Sequence, residues 1–356
     1  MDFSLFYFAD DSTAPATRGS GPQPAGSRYH LLLEGAKFAD RQGFTAVWTP
    51  ERHFHPFGGL YPNPAVTGAA LAAVTERIGI RAGSVVAPLH DPLRIAEEWS
   101  VVDNLSDGRA AVSFASGWHP RDFVLRPEAY GARRDSLAET VRSVRRLWRG
   151  DEIERTDGEG APQRVRVYPP PVQSELPCWL TSAGGTETFR LAGALGTGVL
   201  THLLRQDLPS LTANLAVYRE AQEARPAGAG PRGRACVMLH AFLGPDREQV
   251  HAAVRAPMRA YLASALGLFG GAQRASATGR PLPARKAEEL LDLAFERYFS
   301  RFGLFGTVED ALETVGRLKE AGADEIACLV DFGMPTDTTL DSLSLLAALR
   351  ERAAAL

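Results

Sequence analysis

Charge of one sign is scarce in this chain: 39 Lys plus Arg stand against 42 Asp plus Glu in 356 residues, a formal net charge of −3. A protein that holds nucleic acid by bulk electrostatics needs a basic surplus, and none is present. Long apolar runs are missing as well. No stretch approaches the roughly 18 unbroken apolar residues of a membrane-crossing helix. The first residues, Met1-Asp2-Phe3-Ser4-Leu5, carry no basic n-region and no small-residue cleavage site, so a cytoplasmic location is expected. Cysteine is rare and odd in number. Cys178, Cys236 and Cys328 sit in short apolar runs (PCWLT, RACVML, IACLV) that read as buried strands, and none has metal-site spacing. Internal repeats and charge runs are absent. Hydrophobic residues at 45% and charged residues at 23% are ordinary globular values, which excludes a disordered chain.

What is present is an alternation of short β-type runs with longer helical ones. The β-runs are 3–8, 45–48, 78–86, 109–115, 178–181, 198–201, 235–243 and 325–331. Helical periodicity fills 29–42, 63–75, 93–105, 134–148, 186–195, 208–224 and 339–349. The strands are apolar throughout, as parallel strands buried on both faces must be. Eight β/α units in a chain of this length point to an α/β fold, a (β/α)₈ TIM barrel, over residues 1–356 as one domain. A doubly wound sheet is the alternative, but no Gly-rich phosphate loop follows the first strand. Three segments exceed the minimal unit. Ser12 to Ser27 reads as a Gly/Pro/Ser-rich loop, and 151–177 as a small excursion with a hairpin or extended piece before the fifth strand. A long insertion follows the seventh strand over about 257–302; it reads as part helical, with a flexible centre (GGAQRASATGRPLP), and is expected to act as a lid.

In such a barrel, functional residues gather at the carboxyl ends of the strands. Of eight histidines, His53, His55, His90, His119, His202 and His240 fall at or near those ends. Their spacing does not suit a metal: His53-x-His55 is the only close pair, and no H-E-x-x-H helix appears. No G-x-S-x-G elbow marks a hydrolase. After the fifth strand, Ser182-Ala183-Gly184-Gly185-Thr186 combines small residues, hydroxyls and a helix start, which suits a phosphate. Ser116-Gly117-Trp118-His119 after the fourth strand adds a hydroxyl, a glycine and an aromatic, and Thr201-His202 adds a further side. Together they suit a ligand with a flat ring and a phosphate tail. Glu51-Arg52-His53-Phe54-His55 is dense in proton-handling groups, with Glu51–Arg52 readable as a simple ion pair.

These stretches carry a resemblance. PERHFHPFGGLYPNP (50–64), SVVAPLHDPLRIAEEWSVVDNLSDGR (84–109), SFASGWHPRDF (113–123), TSAGGTETFRLAG (181–193), FGT (305–307) and IACLVDFG (326–333) resemble the bacterial luciferase-like, FMN-dependent monooxygenases. The likeness runs from Phe3 to Leu349 and looks closest to the natural-product biosynthesis branch. It implies a (β/α)₈ barrel binding reduced FMN at its carboxyl face. There O₂ would form a flavin C4a-(hydro)peroxide that delivers one oxygen atom to a substrate, free or carrier-protein-tethered. It also implies a separate flavin reductase and a homodimer. Carried onto this chain, the phosphate would lie at Ser182 to Thr186 (with Ala183, Gly184 and Gly185), and Ser116, Gly117 and Trp118 would flank the flavin. Thr201 and His202 would approach its phosphate or ribityl side. A non-prolyl cis peptide is expected within Ser84-Val85-Val86. The luciferases proper carry Glu-His-His-Phe after the second strand, with the first His catalytic. Arg52 takes that place here, and arginine is no base at neutral pH. It could hold a peroxide anion or a substrate carboxylate instead. His53, His119 and His240 are the candidate proton donors, and Arg52 completes the candidate catalytic set. A deazaflavin-dependent oxidoreductase on the same barrel and a non-catalytic flavin-binding protein are the alternatives.

Overall fold

The computed structural model describes residues 1–8, 27–228, 230–272 and 284–356. The loop expected at 12–27 and the insertion's glycine-rich centre lie almost wholly outside the described residues. Eight parallel strands close on themselves. In chain order they are β1 (Asp2–Phe6), β2 (Ala46–Thr49), β3 (Gly79–Val86), β4 (Ala110–Ala115), β7 (Cys178–Ser182), β8 (Gly198–His202), β9 (Ala235–Leu243) and β11 (Glu325–Leu329). Each pairs with the next, and β11 returns to β1 with Asp2 opposite Glu325. This is the (β/α)₈ TIM barrel that the alternation predicts. Between β4 and β7, β5 (Ile153–Thr156) and β6 (Pro162–Val165) form an antiparallel hairpin, the first of the two forms open for this excursion. A short strand, β10 (Leu304–Gly306), adds to β9 beyond the barrel; the sequence reading does not resolve it.

Alternation along the strands sorts the side chains. Phe3, Leu5, Val47, Ile80, Val112, Leu180, Val199, Val237 and Ile326 form the outer core under the helices. Phe6, Trp48, Ala111, Trp179, Leu200, Cys236, Met238, Ala327 and Leu329 fill the interior. Near the amino end of that interior Glu325, 0% exposed, is held by Arg81 (Nη1 to both carboxylate oxygens, 2.9 Å) and by Ser4 Oγ (2.6 Å). The Arg81 guanidinium lies between the rings of Trp48 (4.8 Å) and Trp179 (4.6 Å).

The outer helices are α1 (His30–Arg41), α2 (Pro64–Ala72), α3 (Pro92–Ser106), α4 (Leu137–Trp148), α5 (Thr186–Leu195), α6 (Leu208–Glu223), α9 (Val308–Glu320) and α10 (Thr336–Ala353). Several starts are legible. Asn63 caps α2 and Asp91 caps α3, each followed by proline, and Thr307 with Asp310 forms a capping box on α9. The insertion is built of α7 (Arg247–Ala272) and α8 (Ala284–Arg301). It begins ten residues earlier than the expected boundary at 257, because α7 runs through Pro257 where a proline ordinarily ends a helix. Met258, Tyr261 and Leu262 of α7 and Phe295, Tyr298 and Phe299 of α8 pack with Phe57, Phe305 and Phe332 into the interior cluster. Among the described residues, no helix is long and apolar enough to cross a membrane.

Candidate active site

The carboxyl end of the barrel brings three groups of side chains together. The first rises from the loop after β2. Glu51 is buried, and its Oε1 meets His53 Nε2 at 2.8 Å and His90 Nε2 at 2.6 Å, while Oε2 accepts the Val86 N–H at 2.6 Å. Burial alone would push this carboxyl up. The hydrogen bonds from His53, His90 and Val86 more than offset it and hold Glu51 below its usual value. His90 moves the other way: burial opposes its charge, but the Glu51 carboxylate outweighs burial and raises it.

Arg52 points elsewhere. Its Nη1 donates to Asp122 Oδ2 at 2.5 Å, and its guanidinium lies 5.1 Å from the Trp118 ring. Both partners are buried. The simple ion pair as which Glu51–Arg52 could be read is not formed; each residue has found another partner. Arg52 Nε and Nη2, Asp122 Oδ1 and His119 Nδ1 are buried with no hydrogen-bond partner among the described residues. Burial, then the Arg52 charge, push His119 down to about 4. This imidazole is therefore neutral at ordinary pH.

The second group lies at the ends of β7 and β8. α5 starts at Gly185 with no side-chain cap, and Gly184 has φ +111°. The first N–H groups of α5 are thus not taken by a side chain of their own turn. The Gly184 N–H donates to Ser182 Oγ at 3.3 Å. Thr201 Oγ1 donates to the Ser182 carbonyl (2.7 Å) and accepts from Gln206 Nε2 (2.7 Å). Asn214 Nδ2 donates to the Gly184 carbonyl (3.2 Å) and to Gln206 Oε1, and its Oδ1 accepts from Thr186. Gln206 and Asn214 are the residues that sequence reasoning missed here. Their only signal is position, in and just before α6, and no motif flags it. Thr201 supports the loop from behind. His202 accepts the Leu204 N–H on Nδ1, and burial pushes its ring down to about 4.

Between these groups, the hydroxyls of Ser84, Ser113 and Thr181 form a chain; Ser113 Oγ and Thr181 Oγ1 are 2.7 Å apart, and Ser84 also meets Thr181. The non-prolyl cis bond joins Gly83 to Ser84, one peptide before the expected Ser84-Val85-Val86 stretch. It coincides with the register shift between Gly83 and Val85 where β3 pairs β4. Gly117 has φ +72°, and a Cβ there would lie 2.8 Å from Val86 and 2.9 Å from the Phe123 ring. Only glycine fits that turn.

The third group is His240 on β9, 0% exposed under α7 and α8. Its Nδ1 is 2.8 Å from Tyr298 Oη, the Tyr261 ring stands edge-on at 4.3 Å, and Nε2 has no partner among the described residues. Burial, then the neighbouring His202, push it down to about 3. Three of the four candidate catalytic residues, Arg52, His53 and His119, share one neighbourhood; His240 stands apart beneath α7 and α8. Among the described residues no group of His, Cys, Asp and Glu is arranged to hold a metal. The three cysteines are free and buried, and burial pushes each thiol up.

The residues fit a flavin with a phosphate tail. Gly184 and Gly185 leave backbone open beside the uncapped start of α5, with no atom near where a Gly185 side chain would stand. Comparison with known proteins agrees. The luciferase-like monooxygenase family model matches residues 1–325. A flavin-dependent trigonelline monooxygenase oxygenase component from Acinetobacter baylyi is 30% identical over 51% of this chain, so the chain spans about half (49%) of that relative's length. An F420-dependent hydroxymycolic acid dehydrogenase from Mycobacterium tuberculosis is 25% identical over 67% of each chain. The crystal structure of a monooxygenase from Streptomyces bottropensis superposes with a TM-score of 0.76 at 24% identity, over 98% of both chains.

Proposed function

The chain belongs to the luciferase-like monooxygenase family, and from that premise we propose that it is the oxygenase component of a two-component flavin-dependent monooxygenase. On this reading it acts in the cytoplasm as one catalytic unit. It takes reduced FMN from a separate reductase and places one atom of O₂ into a small natural-product intermediate, free or carrier-bound. The observation that supports it best is the pairing, on one barrel face, of a phosphate-type cradle with a dense proton-handling cluster. The cradle is Ser182 to Thr186, and the cluster is Glu51, His53 and His90.

FMN, when bound, would supply the electrons and the site of reaction with O₂. The residues to hold it are Ser182, Ala183, Gly184, Gly185 and Thr186 at the phosphate, with Gln206 and Asn214 keeping that loop in place. Ser84, Val85, Val86, Ser116, Gly117 and Trp118 would line the ring, and Thr201 and His202 the tail. His53 is the best-placed proton-handling group, since Glu51 anchors its Nε2 and leaves Nδ1 to face a ligand. His119 and His240 are held neutral and serve as hydrogen-bonding imidazoles. Arg52, with two unpartnered donors, would orient a substrate oxygen. The aromatic residues of α7 and α8 would exclude water. A homodimer through α2 and α3 is part of this reading, because Val66, Val101 and Leu105 leave apolar surface exposed there.

The dehydrogenase relative named above gives weight to a second reading, in which the cofactor is the deazaflavin F420 and no oxygen is used. One experiment separates them. The protein is titrated with FMN and with F420, and bound reduced FMN is then exposed to air. Tighter FMN binding, with reoxidation slower than that of free reduced FMN, is the expected result. Preference for F420, or reoxidation at the free rate, refutes the oxygenase reading.

A further inference from the structure

The first group of site residues contains one carboxylate and two imidazoles that meet it at the same oxygen. Glu51 Oε1 lies 2.8 Å from His53 Nε2 and 2.6 Å from His90 Nε2, and the other oxygen is occupied by the Val86 N–H. Among the described residues, a second carboxylate beside His53, that of Asp122, has its charge balanced by Arg52 on Oδ2. A single negative charge in a buried place can offset one imidazolium and not two. We propose that His90 is a positioning residue for His53: through the shared oxygen of Glu51 it takes the one proton that the carboxylate can stabilise, and so keeps His53 neutral. This rests on the reading of His53 as the proton-handling group of the site.

The surroundings favour His90 as the charged member. Glu98, from α3, adds a negative charge on its side, tempered by Arg94, whose Nη2 donates to Glu98 Oε1 (2.7 Å), and by Arg126, whose Nη1 donates to the His90 carbonyl (3.1 Å). His53 faces Glu51, Asp122 and the ring of Phe54 (5.6 Å). A cavity of about 10 Å³, the size of a single water, is lined by Glu51, His90, Glu98 and Trp99 among others. With His90 charged, the Nε2–H of a neutral His53 donates to Glu51, and its Nδ1 keeps a lone pair. His53 then accepts a proton at Nδ1 and does not supply one, until the pH falls far enough to force a second charge onto the triad.

Histidine ¹⁵N NMR on the full chain without flavin tests this, with assignment by single His→Gln variants. Two interacting sites should titrate in linked steps. His90→Gln should move the His53 ring ¹⁵N signals toward the charged pattern at a fixed pH, because the whole carboxylate then serves His53. Glu51→Gln should lower both midpoints. Glu98→Gln, a change at a partly exposed position, should lower His90 and raise His53, and it keeps the test available if His90→Gln does not fold. With reduced FMN bound, the acid limb of the pH profile of O₂ consumption should follow the His53 midpoint in each variant. An unmoved His53 midpoint in folded His90→Gln or Glu98→Gln overturns the proposal and leaves the oxygenase reading intact. Linked titration in a protein that does not bind FMN would sink that reading and leave the charge sharing in place.

Discussion

Arg81→Met should cost about 3–5 kcal/mol, because it strands a carboxylate at the amino end of the barrel interior. The methionine keeps an unbranched stem between Trp48 and Trp179 but removes the charge that faces Glu325. Glu325 is wholly buried, and what then remains to it is Ser4 Oγ at 2.6 Å and Trp48 Nε1 at 3.3 Å. Breaking one side of a buried ion pair costs about that much, since the surviving charge is left uncompensated. For 356 residues at about 2.1 cal/mol/K each, the unfolding entropy is about 0.75 kcal/mol/K. The expected fall in Tm at pH 7.5 is therefore about 4–7 °C by calorimetry. The pH dependence gives a second check. In the native protein burial raises the Glu325 carboxyl, but Arg81, Ser4 and Trp48 outweigh it and hold the carboxyl below its usual value. Its stabilising contribution is present above about pH 4.3 and is lost as pH falls through the lowered native value. In the variant burial wins, the native carboxyl rises above its unfolded value, and the penalty is relieved as pH falls through that raised value. The gap between the two proteins should thus narrow from pH 7.5 to pH 5. A gap under about 1 kcal/mol, or one that does not change with pH, refutes the reasoning.

Other expectations can be checked in the same preparations. Gly117→Ala should lose about 2–4 kcal/mol, from the left-handed backbone and from the contacts with Val86 and Phe123, and should weaken FMN binding in a fluorescence titration; an unchanged Tm would contradict this. His240 is held below its usual value, so the unfolded chain binds the extra proton, and stability falls as pH drops from about 6.5 toward the lowered value of about 3. His240→Phe should therefore flatten the Tm–pH slope between pH 6 and 4.5, by up to about 1.4 kcal/mol per pH unit; parallel slopes would count against a neutral His240. Leu105→Glu, at a 58% exposed position on α3, should halve the mass seen by light scattering. A native protein that already runs as a monomer would refute the proposed dimer face.

Much of the fold was legible because parallel barrel strands are buried on both faces and read as short, unbroken apolar runs. All eight appear within a residue or two of their observed limits. What escaped were elements with no such signature. Three-residue β10 is set by its pairing with β9 and by no pattern of its own. Pro257 looked like a boundary, yet α7 continues through it. The site was legible as a set of positions and not as a set of partners. Ser182 to Thr186 could be found from small residues before a helix. Gln206 and Asn214 hold that loop across an interval of some 20–30 residues that no spacing rule spans.

The partners matter most at positions 51 and 52. Adjacent residues of opposite charge invite an ion-pair reading, but in the loop after β2 each of the two finds a different partner. Had Glu51 and Arg52 paired, the carboxylate would have been neutralised and His53 and His90 left without an anion. Instead Arg52 is neutralised by Asp122, from the turn after β4, and Glu51 keeps its charge for the histidines. The buried Arg52 guanidinium therefore depends on Asp122 for its counter-charge. Asp122→Asn should expose that dependence: it leaves the buried Arg52 unpaired and should cost about 3–5 kcal/mol, and an unchanged Tm would contradict this. Arg52 and Asp122 thus form one buried pair, distinct from the carboxylate that serves His53 and His90.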